Sequence, residues 1–138
     1  MMSKFKNVFL GGTTNDSDWR YKLQEHLHPN ILTFNPIVFE WNESTAQNEA
    51  DARKRSDFML YVITPKMIGY LPIADVIDES NKRPKKTLMC ILEEDDGYEF
   101  TYQQLLSLEY IGKIVIANGG ILFKSLLEVA TFLNGKVS

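Results

Sequence analysis

Two apolar runs constrain the fold of this chain more than any other feature of its sequence. They are FMLYVI at residues 58–63 and TLMCIL at residues 87–92, and each is apolar at successive positions. Because successive side chains of a strand point to opposite faces, such runs need cover on both faces. This is typical of central strands in a parallel sheet, whereas a half-exposed antiparallel sheet would alternate. The runs therefore predict an α/β fold.

The rest of the chain alternates between strand and helix signals. Further strands are predicted at residues 7–10 and 31–34, with an edge strand at 121–123. Ser17 or Asp16 can cap a first helix, to about Leu27, and Ser44 a second, to about Arg55. Three more helices are predicted, from about residue 71, over 101–118 and over 124–133. The prediction is a doubly wound parallel sheet of about five strands with helices on both faces.

Length and charge limit the classes of function. With 138 residues, the chain fits one domain over residues 1–138. Its net charge of -3 argues against a protein that binds nucleic acid, since such binding depends on clustered Lys and Arg. Cys90 is the only cysteine, so no disulfide framework is expected. The start MMSKFKNVFLGG matches neither a signal peptide nor a membrane span, and we expect a cytoplasmic protein with no membrane partner.

Ligands of doubly wound sheets bind at the carboxyl ends of the strands, and this rule selects the loops that follow the first three strands. Gly11 and Gly12 after the first strand allow a ligand to approach the backbone closely. Asp16 and Asp18 follow, and their charge favours an uncharged sugar or nucleoside over a phosphate. Trp41, after the second strand, can stack on a base or cover the sheet edge. His26 and His28 are spaced two apart and do not share a helix face, so no metal site is predicted.

The acids near these loops differ in position. Glu49 lies in the predicted second helix, where acids usually face solvent, and Asp57 directly precedes the third strand, whose start it can simply hold. Asp75, in IADVID, falls in the first turns of a helix after a loop that contains Gly69, at the ligand-binding edge. Spacing alone leaves Asp75 open between a functional acid and a solvated charge. A receiver-type phosphoacceptor is not expected, because Thr64 occupies the position of that aspartate.

Four stretches together resemble the nucleoside 2-deoxyribosyltransferase family: VFLGGTTNDSDWR, FNPIVFEW, RSDFMLYVITP and IADVIDESNKRPKKTLMCIL. They cover roughly the amino-terminal two thirds of the chain. The resemblance implies a flavodoxin-like or Rossmann-like fold and cleavage of the N-glycosidic bond of 2'-deoxynucleosides or their monophosphates, with the sugar passed to another base or to water. It implies no metal or organic cofactor, a small-molecule nucleoside or nucleotide as partner, and a homo-oligomer.

The resemblance also implies roles for individual residues. By position, Asp75 takes the place of the catalytic nucleophile and Glu49 that of the acid that holds the deoxyribose hydroxyls. Asp75 stands where the family has a glutamate, which is one methylene longer. The other residues implied in substrate binding are Phe9, Gly11, Gly12, Thr13, Asn35, Trp41, Asp57 and Gly69, the last of these where the typical enzyme has a further acid.

The implied mechanism parallels retaining glycoside hydrolysis, in which a carboxylate attacks the anomeric carbon and a glycosyl ester forms. The leaving base needs a proton, which Glu40 or one of the acids at residues 93–96 can supply; the sequence does not choose among them. A second hypothesis, motivated by Asp75 and Gly69, is a non-catalytic nucleoside or nucleotide sensor. A third is a small interaction domain without a pocket.

Overall fold

A five-stranded parallel sheet forms the centre of the computed structural model, which describes residues 4–14, 16–36 and 42–137. Its strands are β1 Lys6–Gly12, β2 Ile31–Phe34, β3 Phe58–Ile63, β4 Thr87–Ile91 and β7 Ile121–Phe123; β5 Glu94–Asp95 and β6 Tyr98–Glu99 form a separate hairpin. The strand order is β2-β1-β3-β4-β7, so β1 and β3 lie side by side and β2 and β7 form the edges. This architecture confirms the predicted α/β fold, which is consistent with the flavodoxin-like or Rossmann-like type.

Five helices connect the strands in the described part of the chain: α1 Trp19–Gln24, α2 Glu43–Arg55, α3 Leu71–Lys82, α4 Tyr102–Asn118 and α5 Leu126–Asn134. A single 3-10 turn, Pro84–Lys86, precedes β4. None of these helices has the length and apolar character that crossing a bilayer requires.

Helices cover both faces of the sheet, and alternate side chains of each strand belong to different cores. Val8 and Leu10 of β1 pack in a core with residues of α1 and α5. Phe9, between them, packs in the second core with Ala52 of α2 and Val76 of α3, which α4 completes. The continuous apolar runs of β3 and β4 follow from this double cover, since their side chains enter both cores.

Two helix starts differ from the sequence prediction. Asn42, not Ser44, caps α2: its side chain accepts a hydrogen bond from the Thr45 N–H, and the Thr45 hydroxyl accepts one from the Asn42 N–H. This reciprocal pair satisfies two N–H groups at the helix start, which a serine inside the helix cannot do. Asp18 stands at the N-cap position of α1 without a side-chain cap, and the helix ends at Gln24, before the predicted Leu27.

A short hairpin, which the sequence prediction did not include, follows β4. Its strands are β5 Glu94–Asp95 and β6 Tyr98–Glu99, which pair antiparallel. The two turn residues, Asp96 and Gly97, have positive φ angles of 50 and 85 degrees. An Asp-Gly pair is a strong signal for such a two-residue turn, because both central positions need positive φ.

Candidate functional site

A cleft of about 400 Å³ opens at the carboxyl ends of β1 and β3. This volume falls in the usual range for small-molecule sites, roughly 300 to 1,000 Å³. The lining combines the end of β1 and the loop after it, Glu49 from the middle of α2, and the start of α3. It includes most of the residues that the sequence analysis singled out: Phe9, Gly11, Gly12, Thr13, Glu49, Gly69 and Asp75.

Two glycines of β1 form part of the wall, and each position excludes a larger residue. Gly12 has a φ of 108 degrees, and a Cβ atom there would lie 2.1 Å from the carbonyl oxygen of Val62. Gly11 pairs in register with Tyr61 of β3, and a Cβ atom there would lie 2.7 Å from the Tyr61 ring. The Tyr61 ring therefore occupies the space that a side chain at residue 11 would take.

The loop after β1 is held by buried hydrogen bonds. Arg20, only 3% exposed, donates from Nη1 to the Thr13 carbonyl at 2.7 Å and from Nη2 to the Leu10 carbonyl at 2.9 Å. Trp19 Nε1 donates to the same Thr13 carbonyl at 2.8 Å. Burial lowers the pKa of Arg20 to about 10, which still leaves the guanidinium charged at neutral pH. We had not singled out Arg20 from the sequence.

Thr13 itself is fully buried. Its N–H donates to the Val62 carbonyl at 2.8 Å, and its hydroxyl oxygen accepts from the Thr64 N–H at 2.9 Å. The side chain thus links β1 to the end of β3. Its contribution to the cleft is to fix the loop, because the hydroxyl is already committed within the protein.

Two carboxylates line the opposite side of the cleft. Asp75, half-buried on α3, forms no hydrogen bond or ion pair with any residue of the described ranges. Burial raises its pKa, opposed by the charge of Arg53 and assisted by Asp78 and Glu79. Asp75 thus lines the cleft with neither carboxylate oxygen bound by a residue of the described ranges.

Glu49 reaches the cleft from α2. Its side chain is 15% exposed, and its Oε2 lies 3.8 Å from Arg53 Nη1. Burial raises the pKa of Glu49, Arg53 lowers it, and the neighbouring charge of Asp75 raises it further. The charge of Asp75 therefore acts on Glu49, as expected for acids that line one cleft.

Two aromatic rings, those of Phe9 and Tyr61, also line the cleft. Phe9 stacks on Phe34 with ring centroids 5.8 Å apart, and the Tyr61 ring lies 6.2 Å from Phe9. Tyr61 is 1% exposed, and its hydroxyl has no hydrogen-bond partner among the described residues. Burial raises the pKa of Tyr61, as do the charges of Glu79 and Asp75. Tyr61 is a cleft residue that the sequence analysis missed.

Three predicted substrate-binding residues are not placed in this cleft. Asn35 lines a smaller adjoining cavity of about 220 Å³, which shares Pro36 and Glu49 with the cleft. Trp41 lies outside the described residues. Asp57 lies at the amino ends of the strands, opposite the cleft, where its Oδ2 accepts a hydrogen bond from the Asn7 N–H at 2.8 Å. Because Asp57 precedes β3 and the cleft lies beyond the other end of that strand, this carboxylate secures the start of β1.

The candidate proton donors at residues 93–96 do not line the cleft either, and Glu40 lies outside the described residues. Asp95 accepts a hydrogen bond from the Ser17 hydroxyl at 2.6 Å, and Lys66 lies 2.6 Å from Asp96. Asp18 joins Asp95 and Asp96 in a cluster whose oxygens lie within 4.8 Å of one another. Lys22 and Lys66 already supply positive charge to this cluster, which is the part a bound cation would play.

A comparison with protein families matches residues 5–93 to the family described as nucleoside 2-deoxyribosyltransferase like. The matched segment contains β1, the loop after it, α2, β3 and α3, and so both cleft carboxylates. A search of curated proteins finds no significant match. The family match supports a function related to glycosyl transfer in general terms.

Proposed function

Because the chain belongs to the nucleoside 2-deoxyribosyltransferase-like family, we propose that it transfers or hydrolyses the N-glycosyl bond of 2'-deoxynucleosides, with Asp75 as the nucleophile. The observation that carries the proposal is the cleft itself, which Asp75 and Glu49 line together with Gly11 and Gly12 at the carboxyl ends of the strands. A carboxylate that lines such a cleft and forms no hydrogen bond to any described residue is suited to attack a carbon that develops positive charge.

The proposed reaction has two steps. In the first, a carboxylate oxygen of Asp75 forms a bond to the anomeric carbon while the bond from that carbon to the base nitrogen breaks. The electron pair of the broken bond leaves with the base, which takes up a proton from solvent. In the second, water or an acceptor base attacks the anomeric carbon and releases a proton to solvent, the ester bond breaks, and its electron pair returns to the Asp75 carboxylate.

Glu49 is proposed to hold the sugar. Its carboxylate can accept hydrogen bonds from deoxyribose hydroxyls, and hydrogen bonds to a charged acceptor are roughly twice as strong as neutral ones. Glu49 is ionised when it does so, and the ion pair with Arg53 at 3.8 Å favours that state. The result is an oriented anomeric carbon, since holding the sugar in place supplies much of the rate.

An uncharged nucleoside suits the cleft better than a 5'-monophosphate. The described lining residues include two carboxylates and no Lys, Arg or His. A phosphate would therefore be repelled by Glu49 and Asp75 without a lining cation to balance it. The monophosphate stays the second candidate substrate.

The test is release or exchange of base by the purified protein, measured by chromatography with each deoxynucleoside, with and without an acceptor base. Asp75→Asn is expected to abolish the activity. Asp78→Asn is the matched control, because Asp78 lies one helical turn further along α3, is exposed and pairs with Lys82 at 2.8 Å. Equal activity in Asp75→Asn and the wild type would remove Asp75 as nucleophile.

A sensor that binds nucleosides without turnover is the second candidate function. It is favoured by the shorter side chain at residue 75, since a displacement of about 1 Å at the reacting centre can reduce the rate about a hundredfold. Calorimetry that detects binding, together with no base release, would support it. Absence of binding to any nucleoside or nucleotide would count against both candidates. A homo-oligomer also stays a prediction, which light scattering in solution would check.

A further inference from the structure

Four charged side chains of alternating sign extend from the cleft along α2 and the carboxyl end of α3. They run from Glu49 at the cleft through Arg53 and Glu79 to Arg83. Glu49 and Arg53 belong to α2, Glu79 belongs to α3, and Arg83 directly follows α3. The contact between Arg53 Nε and Glu79 Oε1, at 3.5 Å, therefore joins the helix that carries Glu49 to the helix that carries Asp75.

Glu79 is the fixed point of this series. Its side chain is 4% exposed, and Arg83 holds both of its carboxylate oxygens, with Nε 2.8 Å from Oε2 and Nη2 2.7 Å from Oε1. A bidentate pair of this kind fixes orientation as well as charge. Arg53 approaches the same Glu79 oxygen as Arg83 Nη2 does. Because a buried carboxylate that loses a partner strongly destabilises the fold, the position of Glu79 also favours one position of Arg53.

Arg53 lies between this anchor and the cleft. Its Nη1 approaches Glu49, and its guanidinium carbon is 5.6 Å from the centroid of the Phe9 ring, beneath the cleft. The planar guanidinium can contact two carboxylates and a ring face at once, which an ammonium group cannot do. Its place is thus determined from three elements, α2, α3 and β1.

We propose that Arg53 is a positioning residue, which buried Glu79 anchors so that its guanidinium holds the Glu49 carboxylate, ionised and directed into the cleft. The inference rests on the proposed function only in taking Glu49 as the group that binds the sugar. The ionisable groups around Glu49 and Arg53 are Asp75 and Glu79 of α3, Arg83 directly after α3, Tyr61 of β3, and Arg55 of α2, which lines the adjoining cavity with Glu49. Arg83 is already paired with Glu79, and within the described part of the chain Arg53 is the cation whose charge lowers the pKa of Glu49.

Loss of Arg53 leaves Glu49 with burial and the charge of Asp75, and Asp75 with burial and the charges of Asp78 and Glu79, all of which raise the pKa of the respective acid. Glu49 would then bind a proton at a higher pH and lose its capacity to accept hydrogen bonds from the sugar. The pKa of Asp75 would rise with it, because Arg53 also opposes the effect of burial there.

The test is a carbon-13 NMR titration of the Glu49 carboxyl group in the unliganded protein, with the signal assigned by its loss in Glu49→Gln. Arg53→Met is expected to raise the pKa of Glu49 by about 1, and Arg53→Lys by less, since a close opposite charge shifts a carboxyl pKa by roughly that amount or more. Lys54→Met, which removes an exposed cation from the same helix, is expected to leave it unchanged.

Equal Glu49 titrations in Arg53→Met and Lys54→Met would overturn the inference. If Arg53→Met lacks a cooperative melting transition, Arg53→Gln replaces it with the same outcomes, because glutamine keeps donors without the charge. The titration needs no turnover. If the wild type releases no base, the proposed function is wrong and the role of Arg53 is still tested by the titration. If the protein is active but the Glu49 titration is unchanged in Arg53→Met, only the role of Arg53 is wrong. In an active protein, the acid limb of the pH–rate profile should also move to higher pH in Arg53→Met.

Discussion

The two walls of the cleft differ in how completely their polar groups are satisfied. In the loop after β1, the Thr13 hydroxyl, N–H and carbonyl all have buried partners, and Arg20 holds the Leu10 carbonyl. On the other wall, Asp75 and the Tyr61 hydroxyl have no hydrogen bond to any described residue. From this difference we infer that the rigid loop fixes the position of the ligand, and that the groups without a described partner bind it or react with it. Such groups reduce stability and are characteristic of functional sites.

The largest effect is expected from Gly12→Ala, which changes the last residue of β1, directly before the rigid loop. The substitution places a Cβ atom 2.1 Å from the Val62 carbonyl oxygen at a φ of 108 degrees, so β1 and β3 must separate or the loop must change conformation. We expect a loss of about 3 kcal/mol or more in the free energy of unfolding, measured by denaturant titration.

Gly69→Ala is the matched control for this experiment. No atom lies within 4 Å of the added Cβ, and residue 69 is exposed. Its effect should stay within about 0.5 kcal/mol. Similar losses in both variants would mean that the loop after β1 is not the rigid wall described above.

The second largest effect is expected from Arg20→Met. This variant leaves the Leu10 carbonyl without its donor and removes one of two donors to the Thr13 carbonyl, while keeping a long apolar side chain in the core. We expect a loss of about 2 to 3 kcal/mol in the same measurement. Arg55→Met, at an exposed residue of α2, should change stability little. A loss below that of the control would contradict the role of Arg20 as the support of the loop.

Tyr61→Phe is expected to change the free energy of unfolding by less, and in the opposite direction. It alters the side of the cleft that carries the two acids. The substitution removes a buried hydroxyl that has no described partner and keeps the ring that packs over Gly11. Stability should rise by about 1 kcal/mol, since an unsatisfied buried polar group costs about that much. Tyr102→Phe, at a residue that is 80% exposed, should leave the melting temperature unchanged. A clear loss of stability in Tyr61→Phe would show that the hydroxyl has a stabilising partner.

The smallest effect, and one that depends on pH, is expected for the stability of Asp75→Asn. Because burial raises the pKa of Asp75, the folded state binds the proton more tightly than the unfolded chain does. The wild type therefore loses this contribution as the pH rises through the raised pKa, whereas asparagine does not titrate. Thermal unfolding should find Asp75→Asn close to the wild type near about pH 3 and more stable by about pH 7. An advantage that shrinks as pH rises would contradict the assigned environment.

The central fold could be predicted because its signals are local. The bounds of β2 and β3 match the apolar runs, and α4 begins after Thr101 and ends before Gly119, as predicted. The errors at the start of α2 and at the hairpin have local causes too. Asn42 and Thr45 form a capping box, a signal that the prediction of Ser44 as the cap leaves out, and Asp96-Gly97 is a turn signal that stands at the end of an acidic run.

The site was only partly predictable, because its remaining residues are defined by contacts between distant parts of the chain. Asp75 and Glu49 were found by position and by family resemblance, and they line one cleft. The role of Arg20 depends on carbonyls of β1, and that of Tyr61 on a register with Gly11, neither of which a pattern in the sequence discloses. For Arg53 the sequence contains one local signal: it follows Glu49 by four residues on a helix, a spacing at which opposite charges can pair.

The most direct test of the account is intact-protein mass spectrometry of the chain quenched with acid during incubation with a 2'-deoxynucleoside. We expect a species heavier by one deoxyribosyl group, with the adduct on the peptide that contains Asp75, and no such species in Asp75→Asn. Base release by the wild type that leaves no adduct on this peptide, and that persists in Asp75→Asn, would contradict the claim that the unsatisfied carboxylate of Asp75 is the nucleophile.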